Sequence, residues 1–142
     1  MVQEIFVDAS FWTALFYRPD EHHSEAEVIW QEIERNRWLT ATTNWTLYET
    51  LTYLNSRGRH RHDLALEVFA VVSNSSEVVH IEGAVLEDLT LDIFRHHPDK
   101  RWSVVDCANF ACIESRRCEF ALAYDHNFEQ AQVEFGFRLL KP

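Results

Sequence analysis

Short apolar runs alternate along the chain with longer segments in which apolar residues recur every three or four positions. The short runs are typical of buried strands and the longer segments of amphipathic helices. Strands are predicted over Gln3–Val7, Arg37–Thr40, Glu77–Ile81, Phe120–Tyr124 and Phe137–Leu140. Helices are predicted over Ala9–Phe16, His22–Arg35, Trp45–Ser56, Ala84–Arg95 and Val104–Arg116, with a further helix capped by Asp63 whose inner face is Leu64, Val68, Val71 and Val72.

Strands separated by helical segments indicate an α/β fold with a parallel sheet. A chain of 142 residues has room for one domain of ordinary size, so residues 1–142 are predicted to form a single unit. The pattern of apolar runs predicts five strands.

Composition and charge exclude several classes of function. No apolar run approaches the roughly 18 residues of a membrane span, and the N-terminus does not resemble a secretory signal. Three cysteines without a CxxC pair are typical of reduced thiols in a cytosolic protein. Three scattered glycines leave no P-loop or GxGxxG motif. The net charge of −10 opposes non-specific attraction to nucleic acid.

Four acidic residues share a similar local setting. Asp8 and Asp125 each follow a predicted strand, and Glu49 and Asp106 are predicted in the first turns of helices that begin near Thr46 and Ser103. Because ligands of open α/β sheets collect beyond the carboxyl ends of the strands, these four carboxylates could meet at one edge.

Helix capping is the alternative explanation for all four acids. The sequences Thr46-x-x-Glu49 and Ser103-x-x-Asp106 match the capping box, and Asp8 and Asp125 could be N-caps worth about 1 kcal/mol each. Capping does not require burial among apolar neighbours, however, and grouped carboxylates repel one another. A divalent cation with oxygen ligands, Mg²⁺ or Mn²⁺, removes that cost, and both roles can coexist.

The chain resembles PIN-domain ribonucleases, most closely the VapC-type toxins of prokaryotic toxin–antitoxin pairs. The resemblance rests on the segments IFVDASFWTALF, TTNWTLYETLTYL, RWSVVDCANFACIESRRC and FALAYDHNFEQA. It implies a PIN-like three-layer α/β/α fold with a mostly parallel sheet of four to five strands. It also implies that Asp8, Glu49, Asp106 and Asp125 are the catalytic acids that hold Mg²⁺ or Mn²⁺. One departure is Ala123, where the family often has Thr or Ser.

The resemblance implies hydrolysis of RNA phosphodiester bonds by the toxin of a type II pair, in the cytoplasm, with a cognate antitoxin and a homodimer as assemblies. Asp8 and Asp106 are expected to be the main metal ligands. Glu49 could bind metal or accept a proton from water, and Asp125 would complete the ring. Two alternatives remain: a PIN nuclease of RNA maturation or decay, and a catalytically silent module that binds RNA or protein.

A basic cluster and the aromatic residues have two interpretations each. Arg57, Arg59, His60, Arg61 and His62 could contact phosphate or an acidic partner, or form a solvated loop. The aromatic residues, 13 % of the chain, mostly belong in the core, and the remainder could form an interface or stack on bases. His126 could border the site or face solvent in a turn. No zinc motif or GxSxG elbow accompanies the eight histidines.

Overall fold

The computed structural model describes residues 4–58 and 61–141, and a parallel sheet runs through them. Its strands are β1 (Glu4–Val7), β2 (Leu39–Thr43), β3 (Glu77–Val79), β4 (Phe120–Leu122) and β5 (Arg138–Leu139). They lie side by side in the order β3-β2-β1-β4-β5, and every neighbouring pair is parallel. The predicted parallel α/β sheet is confirmed.

Helices cover both faces of this sheet. They are α1 (Ala9–Phe16), α2 (His23–Asn36), α3 (Asn44–Asn55), α4 (Arg61–Ser75), α5 (Gly83–His96), α6 (Val104–Arg116) and α7 (His126–Phe135). Successive side chains of a strand point to opposite faces. Ile5 and Val7 accordingly pack with α1 to α4, whereas Phe6 packs with α5 to α7. The result is the three-layer α/β/α arrangement that the resemblance implied.

The second strand lies later in the chain than predicted. Arg37 is not a strand residue but ends α2 in the left-handed conformation, with φ 54°. The strand then continues through Thr42 and Thr43, both fully buried. Threonine is β-branched and favours strands, yet its hydroxyl makes a buried strand look polar in sequence. The prediction of Arg37–Thr40 was therefore wrong at both ends.

Two details of α4 also differ from prediction. The helix begins at Arg61, so Asp63 lies in its first turn rather than capping it. Val68 and Val72 are fully buried, but Val71 is 38 % exposed and was wrongly assigned to the inner face. A spacing of four residues keeps Val68 and Val72 on one stripe, and Val71 falls beside it. Gln3 lies outside the described residues.

The carboxyl ends of β1 and β4 meet at the centre of the sheet. The strand order reverses between them, which makes this the switch point where ligands of open α/β sheets bind. Val7 is paired with Leu122, and the backbone N–H of Asp8 donates to the carbonyl of Leu122 at 2.9 Å. Asp8 is thus the first residue beyond β1 and is fixed at this edge.

The three cysteines are buried, unpaired thiols, as predicted. Burial raises the pKa of Cys107 to about 11 and that of Cys112 and Cys118 to about 12. These thiols are therefore protonated and inert packing groups at neutral pH. Among the described residues no helix is long and apolar enough to cross a bilayer.

Candidate active site

Asp8 is the most deeply buried of the four predicted acids, with 4 % of its surface exposed. It is the N-cap of α1, and its Oδ2 accepts hydrogen bonds from the backbone N–H of Ser10 at 3.1 Å and from the Ser10 hydroxyl at 2.7 Å. Its Oδ1 accepts from the Asn109 amide at 3.1 Å. Asp8 therefore caps α1, as the capping explanation expected. A capping residue at the surface needs neither three hydrogen-bond donors nor near-complete burial, and Asp8 has both.

Burial raises the pKa of Asp8 to about 7. The two hydrogen bonds from Ser10 oppose this rise, while the negative charges of Asp106 and Glu49 add to it. Repulsion from both residues means that the acid that follows β1 and the acids on α3 and α6 lie within electrostatic reach of one another. The sheet edge thus holds carboxylates that disfavour each other's ionisation.

Asp106 is held in place by a capping box. Its backbone N–H donates to the Ser103 hydroxyl, and its Oδ2 accepts from the backbone N–H of Ser103, both at 3.0 Å. The same Oδ2 accepts from the Asn127 side chain at 2.9 Å. Burial still raises the pKa of Asp106 despite these hydrogen bonds, with Asp125 contributing. The predicted capping box is confirmed here, and it orients a carboxylate that is 8 % exposed.

Asp125 is the N-cap of α7 and completes the row of acids along this edge. Its Oδ1 accepts from the backbone N–H of Asn127 at 2.8 Å. Asn127 thus uses its backbone on Asp125 and its side chain on Asp106, so one residue links the two carboxylates. The charge of Asp125 also raises the pKa of Glu49.

Glu49 reaches the site from a position other than the one predicted. The N-cap of α3 is Thr43, whose hydroxyl accepts from the backbone N–H of Thr46, so the predicted Thr46–Glu49 capping box was wrong. Helix α3 begins at Asn44, which places Glu49 in the second turn rather than the first. Loss of hydration raises the pKa of Glu49, as do the charges of Asp106 and Asp125.

Glu49 lines a cleft of about 300 Å³ next to Asp8, which we call the site cleft. Its other walls include Ser10, His22, Tyr53 and Tyr124. A larger concavity of about 800 Å³ lies where β4 and β5 begin, at the amino end of the sheet, and none of the four acids lines it. Of the four acids, Glu49 lines the site cleft, and Ala9 and Ser10 connect the cleft to Asp8.

Sequence reasoning missed the residue that ties these elements together, Asn109. Its side chain is fully buried. Its amide N–H donates to Asp8, and its carbonyl accepts from the hydroxyls of Thr46 at 2.6 Å and Thr43 at 3.2 Å. One sequence signal was available: Asn109 lies three residues after Asp106, on the same face of α6, amid apolar residues.

The chemistry of the four acids fits a hard divalent cation. The donors are all carboxylate oxygens, which Mg²⁺ and Mn²⁺ prefer. No ion pair in residues 4–58 and 61–141 involves any of the four acids, so their charges have no cationic side-chain partner there. Within the same residues, no three His, Cys, Asp or Glu side chains converge tightly enough to hold an ion together. Mg²⁺ ordinarily uses one or two carboxylates and several waters, which suits this looser arrangement.

The structure also describes His126, most of the aromatic residues and part of the basic cluster that the sequence analysis singled out. The His126 ring is 3.4 Å from Glu129 on the same helix and is mostly exposed, which places it at the surface. Most of the aromatic residues near α1 pack inward: Phe11 and Trp12 are fully buried, whereas Tyr48 is 51 % exposed. Arg59 and His60 of the basic cluster lie outside the described residues.

Comparison with known proteins agrees with this fold. The sequence model of the PIN domain matches residues 5–134. The chain belongs to the PIN-domain family.

Within that family the chain is similar to the 23S rRNA-specific endonuclease VapC20 of Mycobacterium tuberculosis, with 34 % identity over 140 residues, 97 % of this chain and 98 % of the relative. The crystal structure of VapC20, described as a toxin that cleaves the sarcin–ricin loop, superposes with a TM-score of 0.84 at 32 % identity and covers 97 % of this chain and 99 % of that one. The resemblance to VapC-type toxins is confirmed.

A more distant structure shares the fold alone. VapBC-5 of Mycobacterium tuberculosis, a member of the VapBC toxin–antitoxin family, matches with a TM-score of 0.63 at 15 % identity over 98 % of each chain. The arrangement of strands and helices is therefore common to relatives whose sequences have diverged widely.

Proposed function

We propose that this protein is a divalent-cation-dependent endoribonuclease, the toxin of a toxin–antitoxin pair, and that it cuts the sarcin–ricin loop of 23S rRNA. The observation that carries the catalytic part is the grouping of Asp8, Glu49, Asp106 and Asp125 at the switch point of the sheet, where burial and the charges of neighbouring acids raise the pKa of Asp8, Glu49 and Asp106. The substrate is proposed from VapC20, which is similar over nearly its whole length.

Asp8 and Asp106 are proposed as the main cation ligands, with Glu49 and Asp125 completing the site directly or through water. Asp8 and Asp106 are the two most buried of the four, so they lose most by carrying an uncompensated charge. When bound, Mg²⁺ or Mn²⁺ supplies positive charge to a phosphate oxygen and lowers the pKa of water towards neutrality.

The chain's own residues orient the carboxylates and accept a proton. Ser10 and Asn109 fix the two oxygens of Asp8, and Ser103 and Asn127 fix Asp106. Glu49 lies in the site cleft, is more exposed than Asp8 or Asp106, and has a raised pKa. A base is most effective when its pKa approaches the working pH, so Glu49 is suited to take the proton of the attacking water.

A catalytically silent binding module is disfavoured by the same carboxylates. A protein that only bound RNA would gain nothing from acids that repel both each other and the phosphate backbone. A nuclease of RNA maturation or decay would use the same site, and it differs in its cellular effect. Growth arrest on expression that is relieved by a small neighbouring DNA-binding protein would favour the toxin.

Two assemblies belong to this proposal. A toxin requires a cognate antitoxin, and a homodimer is expected from the VapC-type resemblance. Leu66, Phe69 and Val85 are examples of exposed apolar side chains that such contacts would bury. Light scattering of the purified protein, alone and with the antitoxin, measures the molar mass of each assembly.

The cleavage test uses a synthetic sarcin–ricin-loop hairpin and the purified wild-type protein. Cleavage in Mg²⁺ or Mn²⁺, its loss in EDTA and its recovery on adding back the cation are expected. Asp106→Asn should lose activity while staying folded by circular dichroism, and Asp88→Asn, an exposed acid on α5, should keep it. Cleavage that persists in EDTA, or in Asp106→Asn above a mock purification, would refute the metal mechanism.

A further inference from the structure

The face of α3 that carries Glu49 continues into an aromatic residue and then into two arginines. Glu49, Tyr53 and Arg57 follow one another at intervals of four residues, so they lie along one side of the helix and its end. Tyr53 lines the site cleft together with Glu49 and is 40 % exposed. At 1.5 Å per residue, the six steps from Glu49 to the end of α3 at Asn55 span about 9 Å, and Arg57 follows two residues later.

Tyrosine rings hold both arginines on this face. The Arg57 guanidinium lies 5.2 Å from the centre of the Tyr53 ring, and that of Arg61 lies 5.2 Å from the centre of the Tyr17 ring. The two rings meet edge to face with their centres 6.3 Å apart. The ends of α1 and α3 and the start of α4 thus form one contiguous surface, which we call the Tyr–Arg face: Tyr17, Tyr53, Arg57 and Arg61.

The positive charges of this face are available to a ligand. In residues 4–58 and 61–141 no carboxylate forms an ion pair with Arg57 or Arg61, whereas Arg35, Arg95 and Arg116 are each paired with an acid. In a chain of net charge −10, these two arginines bring positive charge to tyrosine rings, one of which, Tyr53, lines the site cleft with Glu49. Arg57 has a side-chain hydrogen bond to Tyr17, and because a guanidinium carries five N–H donors, others remain to donate to phosphate oxygens.

We infer that the Tyr–Arg face is the binding track for the RNA strand next to the scissile bond, with a base on Tyr53 and phosphates on Arg57 and Arg61. This inference rests on the proposed function, because it places the cut at Glu49 and its neighbouring acids. Base stacking on aromatic rings combined with phosphate contacts from arginine is how proteins hold single-stranded RNA. A polyanion also needs local positive charge to approach four carboxylates.

The inference is tested by RNA binding in an Asp8→Asn background, which prevents cleavage, with the sarcin–ricin-loop hairpin and Mg²⁺. Arg57→Gln and Arg61→Gln should each weaken binding and reduce the slope of log affinity against log salt by about 0.7. Tyr53→Ala should weaken binding about tenfold, and Tyr53→Phe should keep most of it. Arg35→Gln is the control for a change of net charge, because it removes one positive charge, paired with Glu32, from the C-terminal end of α2, close to where β2 begins at the amino end of the sheet.

Steady-state kinetics with Asp8 intact gives a second measurement. We expect a higher KM and little change in kcat for Arg57→Gln, Arg61→Gln and Tyr53→Ala, because the replaced side chains bind RNA away from the reacting atoms. Binding and salt slopes equal to those of Arg35→Gln in all three variants would overturn the inference.

The two proposals fail in distinguishable ways. If the wild type cuts the hairpin and the variants bind it normally, the function stands and the track is wrong. If the wild type does not cut but the variants bind RNA more weakly than the control, the face binds RNA and the proposed reaction is wrong.

Discussion

Asp8 combines two roles that usually belong to different residues. As the N-cap of α1 it accepts hydrogen bonds from Ser10, and as a buried carboxylate it has a pKa raised to about 7 by burial and by its acidic neighbours. Donors from Ser10 and Asn109 fix both oxygens in one orientation. An ionised carboxylate that is buried in this way lowers the stability of the folded protein, and its fixed orientation favours binding of a cation.

Replacing Asp8 by Asn should therefore abolish cleavage and stabilise the cation-free protein. The amide is neutral and its oxygen can keep accepting from Ser10, so the cost of burying an ionised group disappears. Its NH2 group replaces the oxygen that accepted from Asn109, and the loss of that hydrogen bond offsets part of the gain. At pH 8 in EDTA we expect the free energy of unfolding to rise by about 1–3 kcal/mol. Urea unfolding and hairpin cleavage measure the two effects, with Asp88→Asn as a control that changes neither. A less stable Asp8→Asn protein would contradict this account.

Asn109 positions Asp8 without itself reaching the substrate, and Asn109→Ala tests that role. The change leaves the hydroxyls of Thr43 and Thr46 without their acceptor inside the core, so it should cost about 2–3 kcal/mol of unfolding free energy. At a temperature where the variant is fully folded, cleavage should need a higher Mg²⁺ concentration for half-maximal rate. Asn74→Ala on the exposed face of α4 is the matched control. An unchanged Mg²⁺ requirement would reduce Asn109 to a packing role.

At the scale of elements, strand ends and helix starts supply the site. Asp8 and Asp125 each follow a strand and cap the next helix, and Asp106 belongs to the capping box of α6. Amide groups of helix N-termini favour negative charge, which offsets part of the cost of gathering acids there. Capping and cation binding are therefore complementary, because the cap orients the same carboxylate that the cation would use.

Ser103→Ala separates the contribution of the helix cap to stability from the contribution of the Asp106 carboxylate to cation binding. The variant loses the hydroxyl that accepts from the backbone N–H of Asp106, which should lower the unfolding free energy by about 1 kcal/mol. Asp106 keeps its hydrogen bond from Asn127, so cleavage should fall far less than in Asp106→Asn. Urea unfolding and initial cleavage rates give both numbers, with Ser115→Ala, an exposed serine near the end of α6, as the control. Equal loss of activity in Ser103→Ala and Asp106→Asn would mean that the cap itself is essential.

Local signals predicted most of the fold and three of the four acid positions. An apolar run followed by aspartate marked Asp8 and Asp125, and Ser-x-x-Asp marked Asp106. The start of α3 was misplaced because Thr43 and Thr46 both match an N-cap, and only the structure shows which hydroxyl accepts. Asn109 was missed because its partners, Asp8 and Thr46, lie 101 and 63 residues away in the chain. Strand order is likewise a property of the packed sheet, which hydrophobic periodicity does not encode.

At the scale of the whole molecule, the acidic edge links folding stability to protons and cations. Asp8 has a pKa near 7 when folded, against 3.8 as its ordinary value. Between these values the folded protein holds a proton that the unfolded chain has released, so stability falls as pH rises through this window. Glu49 and Asp106, whose pKa values are also raised, act in the same direction.

Thermal unfolding from pH 5 to pH 8 tests this linkage. In EDTA the Tm of the wild type should fall with rising pH, and the fall should be smaller in Asp8→Asn. Mn²⁺ at a hundred times its dissociation constant should raise the free energy of unfolding by about 2.7 kcal/mol at pH 8, because only the folded chain binds the ion. The gain should shrink towards pH 5, where protons occupy the same carboxylates. Asp8→Asn/Asp106→Asn should show no gain at either pH, and an equal rise in Tm for this double variant would place Mn²⁺ elsewhere on the protein.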